Sequence, residues 1–192
     1  MKIYAYYQSL PFNGQAEEFA KANLWKASWE KHGWTPIMLN RSHADASTLK
    51  NKLAQSLSLM SSHILSDFAS EIPKLTARIY RWCAFHAAGG GWMCDYDVVN
   101  KGFTPEMARV QEQKNGTLQT NQDGRAFLFY ANSEMTGMAI KRFNAESLVA
   151  FGHPVNEHLI LGSTDVMNGI DGLIFHASGD KKLAQMENAI AS

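Results

Sequence analysis

The chain has 192 residues, 45% of them hydrophobic and 19% charged, which is enough for one domain with its own core and short for two. Eighteen Lys and Arg balance eighteen Asp and Glu, so there is no overall electrostatic footprint for nucleic acid or an acidic membrane surface. No stretch is long and apolar enough to span a bilayer, so an integral membrane protein is not expected. The expectation is a single domain over residues 1–192, with a local basic patch still open to Arg78, Arg81, Lys181 and Lys182.

In chain order, Lys2 to Gln8 is rich in Ile and Tyr and predicts a first strand. It lacks the apolar run and small residues of a signal peptide, so a cytoplasmic, reducing location is the default expectation. Phe12-Asn13-Gly14 predicts a loop. From Gln15 to His32, Phe19, Ala22, Trp25 and Trp29 recur at helical spacing, and Gly33 is the stop. Thr35 to Leu39 predicts a short strand. Strand, helix, strand opens an α/β fold with a parallel sheet.

Asp45 to His63 predicts a second helical stretch that opens on good capping residues. Pro73 suits the start of a third, running through Ile79, Trp82 and His86 to Gly89-Gly90-Gly91. Trp92 to Val99 predicts a buried strand carrying Asp95 and Asp97. Asn115 to Gly124 predicts a surface loop, Ala126 to Ala131 a strand, and Met135 to Ile140 another. Ala145 to Phe151 predicts a short helix, Leu173 to His176 a late strand, and Asp180 to Ala191 a terminal helix. Cys83 and Cys94 have no metal or redox spacing and are expected to be buried free thiols.

The chemistry concentrates between Arg78 and Asn100. Two carboxylates one residue apart on a straight strand point the same way. At the end of a buried strand, Asp95 and Asp97 would form a pair of hard oxygen ligands for Mn2+ or Mg2+ bridging phosphate oxygens. The preceding glycines would allow a sharp turn and close approach of a ligand. Asp-x-Asp is a common pattern, and its apolar flanks raise it above a pair of solvated turn acids.

Arg81, the glycines, an apolar strand and Asp95-Tyr96-Asp97 together resemble the sugar-binding region of DXD glycosyltransferases. That group includes Och1-type mannosyltransferases, clostridial glucosylating toxins and capsule and phage enzymes. The Lys2 to Gln8 strand, Trp25-x-x-x-Trp29 and Gly33-Trp34-x-Pro36-x-x-Leu39 look like the entry to the same GT-A fold. The resemblance implies a single GT-A-like, Rossmann-like α/β domain, with a central mostly parallel sheet flanked by helices. It also implies hexosyl transfer, with retention of configuration, from a UDP- or GDP-sugar to a glycan, lipid-linked glycan or protein. Two positions depart from the pattern. Arg81 lies one residue further from the glycines than usual, and Arg78 stands where relatives tend to carry an Asp that meets sugar hydroxyls.

Several such enzymes complete the metal site with a late His and hold the diphosphate with a nearby Gly and Lys. His176, followed by Gly179, Lys181 and Lys182, is similar to that set. Metal ligation therefore falls to Asp95, Asp97 and His176, and donor binding to Arg81, Asp95, Lys181 and Lys182. Tyr6 or Tyr7 at the end of the first strand could place a ring near the base, although core packing suits at least one of them. Asp165, after Gly162-Ser163-Thr164, is the candidate for acceptor binding or for general base in an inverting transfer. It is equally placed to cap the following segment. The remaining histidines read as structural. Two other functions compete: a nucleotidyltransferase or metal-dependent phosphohydrolase, and a non-catalytic nucleotide-sugar-binding protein.

Overall fold

β1 (Lys2–Tyr6) and β2 (Thr35–Leu39) run parallel, with Lys2 opposite Thr35 and Tyr6 opposite Leu39, joined across α1 (Gln15–Lys31). A computed structural model describes residues 1–8, 14–51, 72–112, 119–120, 128–142, 165–166, 170 and 172–192. α1 closes where Gly33 takes φ +83°, and the Trp34 amide donates to the Trp29 carbonyl at 3.2 Å. α2 (Arg41–Asp45) follows β2, its first turn capped by the Asn40 side chain.

α3 (Ile72–Ala87) leads through the glycines into β3 (Gly90–Cys94), which lies parallel to β1 on the side away from β2. β5 (Gln119–Thr120), β6 (Leu128–Asn132) and β7 (Asp165–Val166) complete a six-stranded sheet of order β2-β1-β3-β6-β5-β7. β6 is antiparallel to both β3 and β5, and β7 is parallel to β5, so the sheet is mixed with parallel pairings in the majority. A separate antiparallel pair joins β4 (Val98–Asn100) to β8 (Ile174–His176). The other helices are α4 (Pro105–Glu112), α5 (Ser133–Arg142) and α6 (Lys182–Ala191).

The period of two along β1 divides the core. Ile3 and Ala5 join Trp25 and Trp29 of α1, Ala108 of α4 and Met186 of α6 on one face. Tyr4 and Tyr6 join Trp82 and Phe85 of α3 and Ile140 of α5 on the other. Helices therefore cover both faces of the sheet, an α/β arrangement compatible with a Rossmann-like fold. Both cysteines are buried and free. Among the described residues no helix is long and apolar enough to cross a membrane.

Three expectations change. Met135 to Ile140 is helical within α5 rather than a strand. Asn132 Oδ1 accepts from the Met135 amide at 2.9 Å, and the buried Thr136, Ala139 and Ile140 recur at helical spacing. The apolar run from Trp92 to Val99 is two strands, β3 and β4, broken by a turn at Asp95-Tyr96-Asp97. Phe19 is 70% exposed, while Glu18, Lys21, Trp25, Ser28 and Trp29 form the inner face of α1. Residues 145–151, 52–63 of the second helical stretch, 12–13 of the first loop, 162–164 of the late turn, and 115–118 and 121–124 of the polar loop lie outside the described residues. Gln119 and Thr120 within that loop form β5.

Candidate functional site

The sheet order places β1 between β2 and β3, so the chain leaves the carboxyl ends of β1 and β3 in opposite directions. The crevice outside such a reversal is where open α/β sheets bind ligands. Tyr7 directly follows β1, and Asp95 directly follows β3, so both lie at this edge. The glycines do not. Gly90 begins β3, about five residues or 16 Å of strand from Asp95. Their role is packing: a Cβ on Gly90 would stand 2.4 Å from the Ala131 carbonyl oxygen. Gly89 turns the chain out of α3 and Gly90 admits the β6 backbone, so neither lies where a ligand at Asp95 would approach.

A turn, not a straight strand, aims the two carboxylates. The Val98 amide donates to the Asp95 carbonyl at 3.1 Å and closes it. Register in the small sheet supplies the third group. Val98 faces His176, and the Ala177 amide donates to the Asp97 carbonyl at 3.1 Å, so His176 arrives beside Asp97. One ligand atom each from Asp95, Asp97 and His176 lie within 4.8 Å of one another.

Asp97 is the buried member, 6% exposed. Its Oδ2 receives Lys182 Nζ at 2.5 Å. Its Oδ1 is shut from solvent, stands 3.4 Å from His176 Nε2, and accepts no well-formed hydrogen bond from the described residues. Burial pushes the Asp97 carboxyl upward and is the largest single influence. The His176 ring and the Lys182 charge together outweigh it and hold the pKa below the ordinary carboxylate value. Asp95 is more open, and its Oδ1 pairs with Arg81 Nη1 from α3.

These groups fit a divalent cation. A Mg2+-sized ion holds oxygens at roughly 2.1 Å, so its neighbouring and opposite ligands lie about 3 and 4 Å apart. The three candidate ligand atoms, all within 4.8 Å of one another, are gathered on a similar scale. The buried Asp97 Oδ1 is a carboxylate oxygen that a cation would satisfy. With Asp95 and Asp97 already balanced by Arg81 and Lys182, a bound dication would leave the site positive and suited to a phosphate-bearing anion.

The other expected residues divide. Arg81 is in the site, on a carboxylate. Lys182 reaches it, while Lys181 is exposed and lines a groove with Ala16, Glu17 and Ala20 of α1. Tyr6 is not in the site. It packs in the α3 face of the core, its hydroxyl donating to Gln8 Oε1 at 2.8 Å, and burial pushes its pKa to about 12. Strand alternation turns the next residue the other way, so Tyr7 meets Tyr96 edge to face with ring centroids 5.6 Å apart. Asp165 begins β7, three strands from β3, on the order of 14 Å at ordinary strand spacing. Its side chain lies outside the described residues.

Glu18 and Lys21 are the residues that apolar periodicity missed. Tyr96 donates its hydroxyl to Glu18 Oε2, and Lys21 Nζ donates to Glu18 Oε1. Burial and the neighbouring Glu18 carboxylate drive the Tyr96 pKa far above that of an ordinary phenol, so it remains a donor. The signal was present: Glu18 and Lys21 are an i,i+3 pair of opposite charge on the helix face that carries Trp25. No family model matches the chain, and neither a curated protein nor a solved structure does.

Proposed function

We propose that this protein is a metal-dependent glycosyltransferase of the GT-A type that moves a hexosyl group from a nucleotide-diphospho sugar to an acceptor. The observation that carries the reading is the convergence of Asp95, Asp97 and His176 within 4.8 Å at the carboxyl ends of parallel strands. The resemblance of the Arg81 to Val98 segment to DXD enzymes points the same cluster toward sugar donors. Asp95, Asp97 and His176 would hold Mn2+ or Mg2+. When bound, the ion supplies positive charge against the diphosphate that departs.

The chain's own residues do the rest. Asp97 keeps one oxygen for Lys182 and offers the other to the cluster, so Lys182 stays within reach of a phosphate oxygen as a compact point charge. Arg81 brings a planar fork to the Asp95 side, where it suits a phosphate or sugar oxygen. Tyr7 packs edge to face against Tyr96, the residue between the two carboxylates. Positioning and electrostatic stabilisation of the leaving group account for rate in such a site. The transfer is proposed to retain the anomeric configuration, a course that asks for no base at Asp165.

A thermal-shift screen of nucleotide sugars with and without Mn2+ tests the proposal. The true donor should raise the melting temperature only with metal, since a ligand at 100 times its Kd stabilises by about 2.7 kcal/mol. Asp97→Ala should abolish both this shift and release of the nucleoside diphosphate. Undiminished transfer by a folded Asp97→Ala variant would rule the assignment out. Release of pyrophosphate instead of a nucleoside diphosphate would move the protein to the nucleotidyltransferases.

A further inference from the structure

One face of α1 is bonded throughout to the segment that carries the carboxylates. Trp25 Nε1 donates to Cys94 Sγ at 3.1 Å, and Trp29 Nε1 donates to the Val98 carbonyl at 3.1 Å. Ser28 Oγ accepts from the Asn100 amide at 3.2 Å. Glu18 takes the Tyr96 hydroxyl. Four polar links from one helix thus reach residues 94, 96, 98 and 100, on both sides of Asp95 and Asp97. Three of them hold strand ends. The Glu18 link alone enters the turn, and it reaches the residue between the two carboxylates.

The geometry points to Glu18 as a positioning residue: by gripping Tyr96 it fixes the turn that aims Asp95 and Asp97 at one point. Glu18 and Lys21 are 5% and 6% exposed. A buried ion pair gains little stability over apolar side chains of similar volume, whereas a buried polar group does specify where its partner sits. Tyr96 is held from two directions, by the Glu18 carboxylate at its hydroxyl and by the Tyr7 ring at its side. With that side chain anchored toward α1, the flanking carboxylates are presented to Arg81 on one side and to His176 and Lys182 on the other. Its effect on those groups runs through Tyr96.

The metal arm of the test rests on the function proposed above; the exchange arm does not. Tyr96→Phe keeps the ring and removes only the hydroxyl. Hydrogen exchange of the amides at 95–98 should quicken about tenfold, with the rest of β3 and α1 unchanged. Mn2+ affinity, read by calorimetry without nucleotide, should fall about tenfold. The double variant Glu18→Gln/Lys21→Met retains an acceptor for the phenol and should leave exchange at 95–98 near the wild-type rate. Unchanged exchange at 95–98 in Tyr96→Phe, or a uniform rise across the chain, overturns the inference. So does a Tyr96→Phe variant that binds Mn2+ as the wild type does. If the wild type binds no Mn2+, the metal reading is what fails, and the exchange rates alone decide the role of Glu18.

Discussion

Lys182 Nζ and His176 Nε2 lie on opposite oxygens of one buried carboxylate, 2.5 Å from Asp97 Oδ2 and 3.4 Å from Oδ1. An ammonium so close to a metal-type oxygen opposes a dication and favours an anion. Lys182→Gln should therefore move two affinities in opposite directions. Mn2+ alone should bind on the order of tenfold more tightly, a figure discounted for the partial exposure of Lys182. A nucleoside diphosphate in saturating Mn2+ should bind more weakly. Calorimetry measures both, and two shifts of the same sign would mean that Lys182 serves only to hold Asp97.

His176 brings nitrogen to a site otherwise made of oxygen. Imidazole suits Mn2+ better than Mg2+, which prefers oxygen and water. The wild type should thus prefer Mn2+, and His176→Asp should erode that preference by about tenfold while retaining some binding. Competition between the two ions, followed by the electron-spin signal of free Mn2+, reports the ratio directly. An unchanged ratio would take His176 out of the ligand set.

Local pattern singled out Asp95 and Asp97, whereas His176 joined them through a resemblance and not through any local signal for its position. Asp95 and Asp97 stand in one short segment between apolar residues, and an apolar neighbourhood is readable locally. The pairing of β4 with β8 brings His176 to Asp97 across 79 positions, and no local pattern fixes that register. The face of α1 was misread for a related reason. Apolar spacing favoured Phe19, but Glu18 and Lys21 neutralise each other and bond Tyr96, so the pair can be buried while the phenyl ring is exposed. The strand-helix-strand opening was legible because Gly33 and the Ile- and Tyr-rich run of β1 are local signals. At Met135 to Ile140, a short apolar run fits either period, and the Asn132 cap decides for helix.

Gly89, just before β3, and Gly90, its first residue, should respond unequally to alanine. Gly89 and Gly90 have φ +90° and +76°, so an alanine at either would incur the left-handed strain of roughly 1–2 kcal/mol that glycine escapes. Nothing lies within 4 Å of a Cβ on Gly89, whereas one on Gly90 would meet the Ala131 oxygen at 2.4 Å and the Asn132 carbonyl carbon at 2.7 Å. Those atoms belong to the β6 backbone, which is bonded to β3 and has little freedom to retreat. Gly90→Ala should cost more than about 3 kcal/mol in urea unfolding, and Gly89→Ala about half that or less. Equal losses would show that β6 yields.

Tyr6 separates core from site by its response to pH. Burial is the main cause of its raised pKa of about 12, with the nearby Arg41 charge opposing. A phenol whose pKa is higher folded than unfolded contributes stability that is complete below about pH 10 and is lost as pH rises toward 12. For one such group the slope is at most about 1.4 kcal/mol per pH unit. Cys83, pushed up from about 9 to about 11 by burial, starts its own decline a pH unit earlier, so the wild type should weaken from about pH 9 and more steeply above pH 10. Tyr6→Phe should flatten that decline without removing it, because the ring keeps its place against α3. The same variant should leave nucleotide affinity unchanged, and Tyr7→Ala should reduce it, since only Tyr7 faces Tyr96. Urea midpoints at several pH values and one nucleotide titration check both halves. Parallel pH curves for wild type and Tyr6→Phe would show that burial does not hold the Tyr6 phenol protonated, and loss of nucleotide binding in Tyr6→Phe would return that ring to the site.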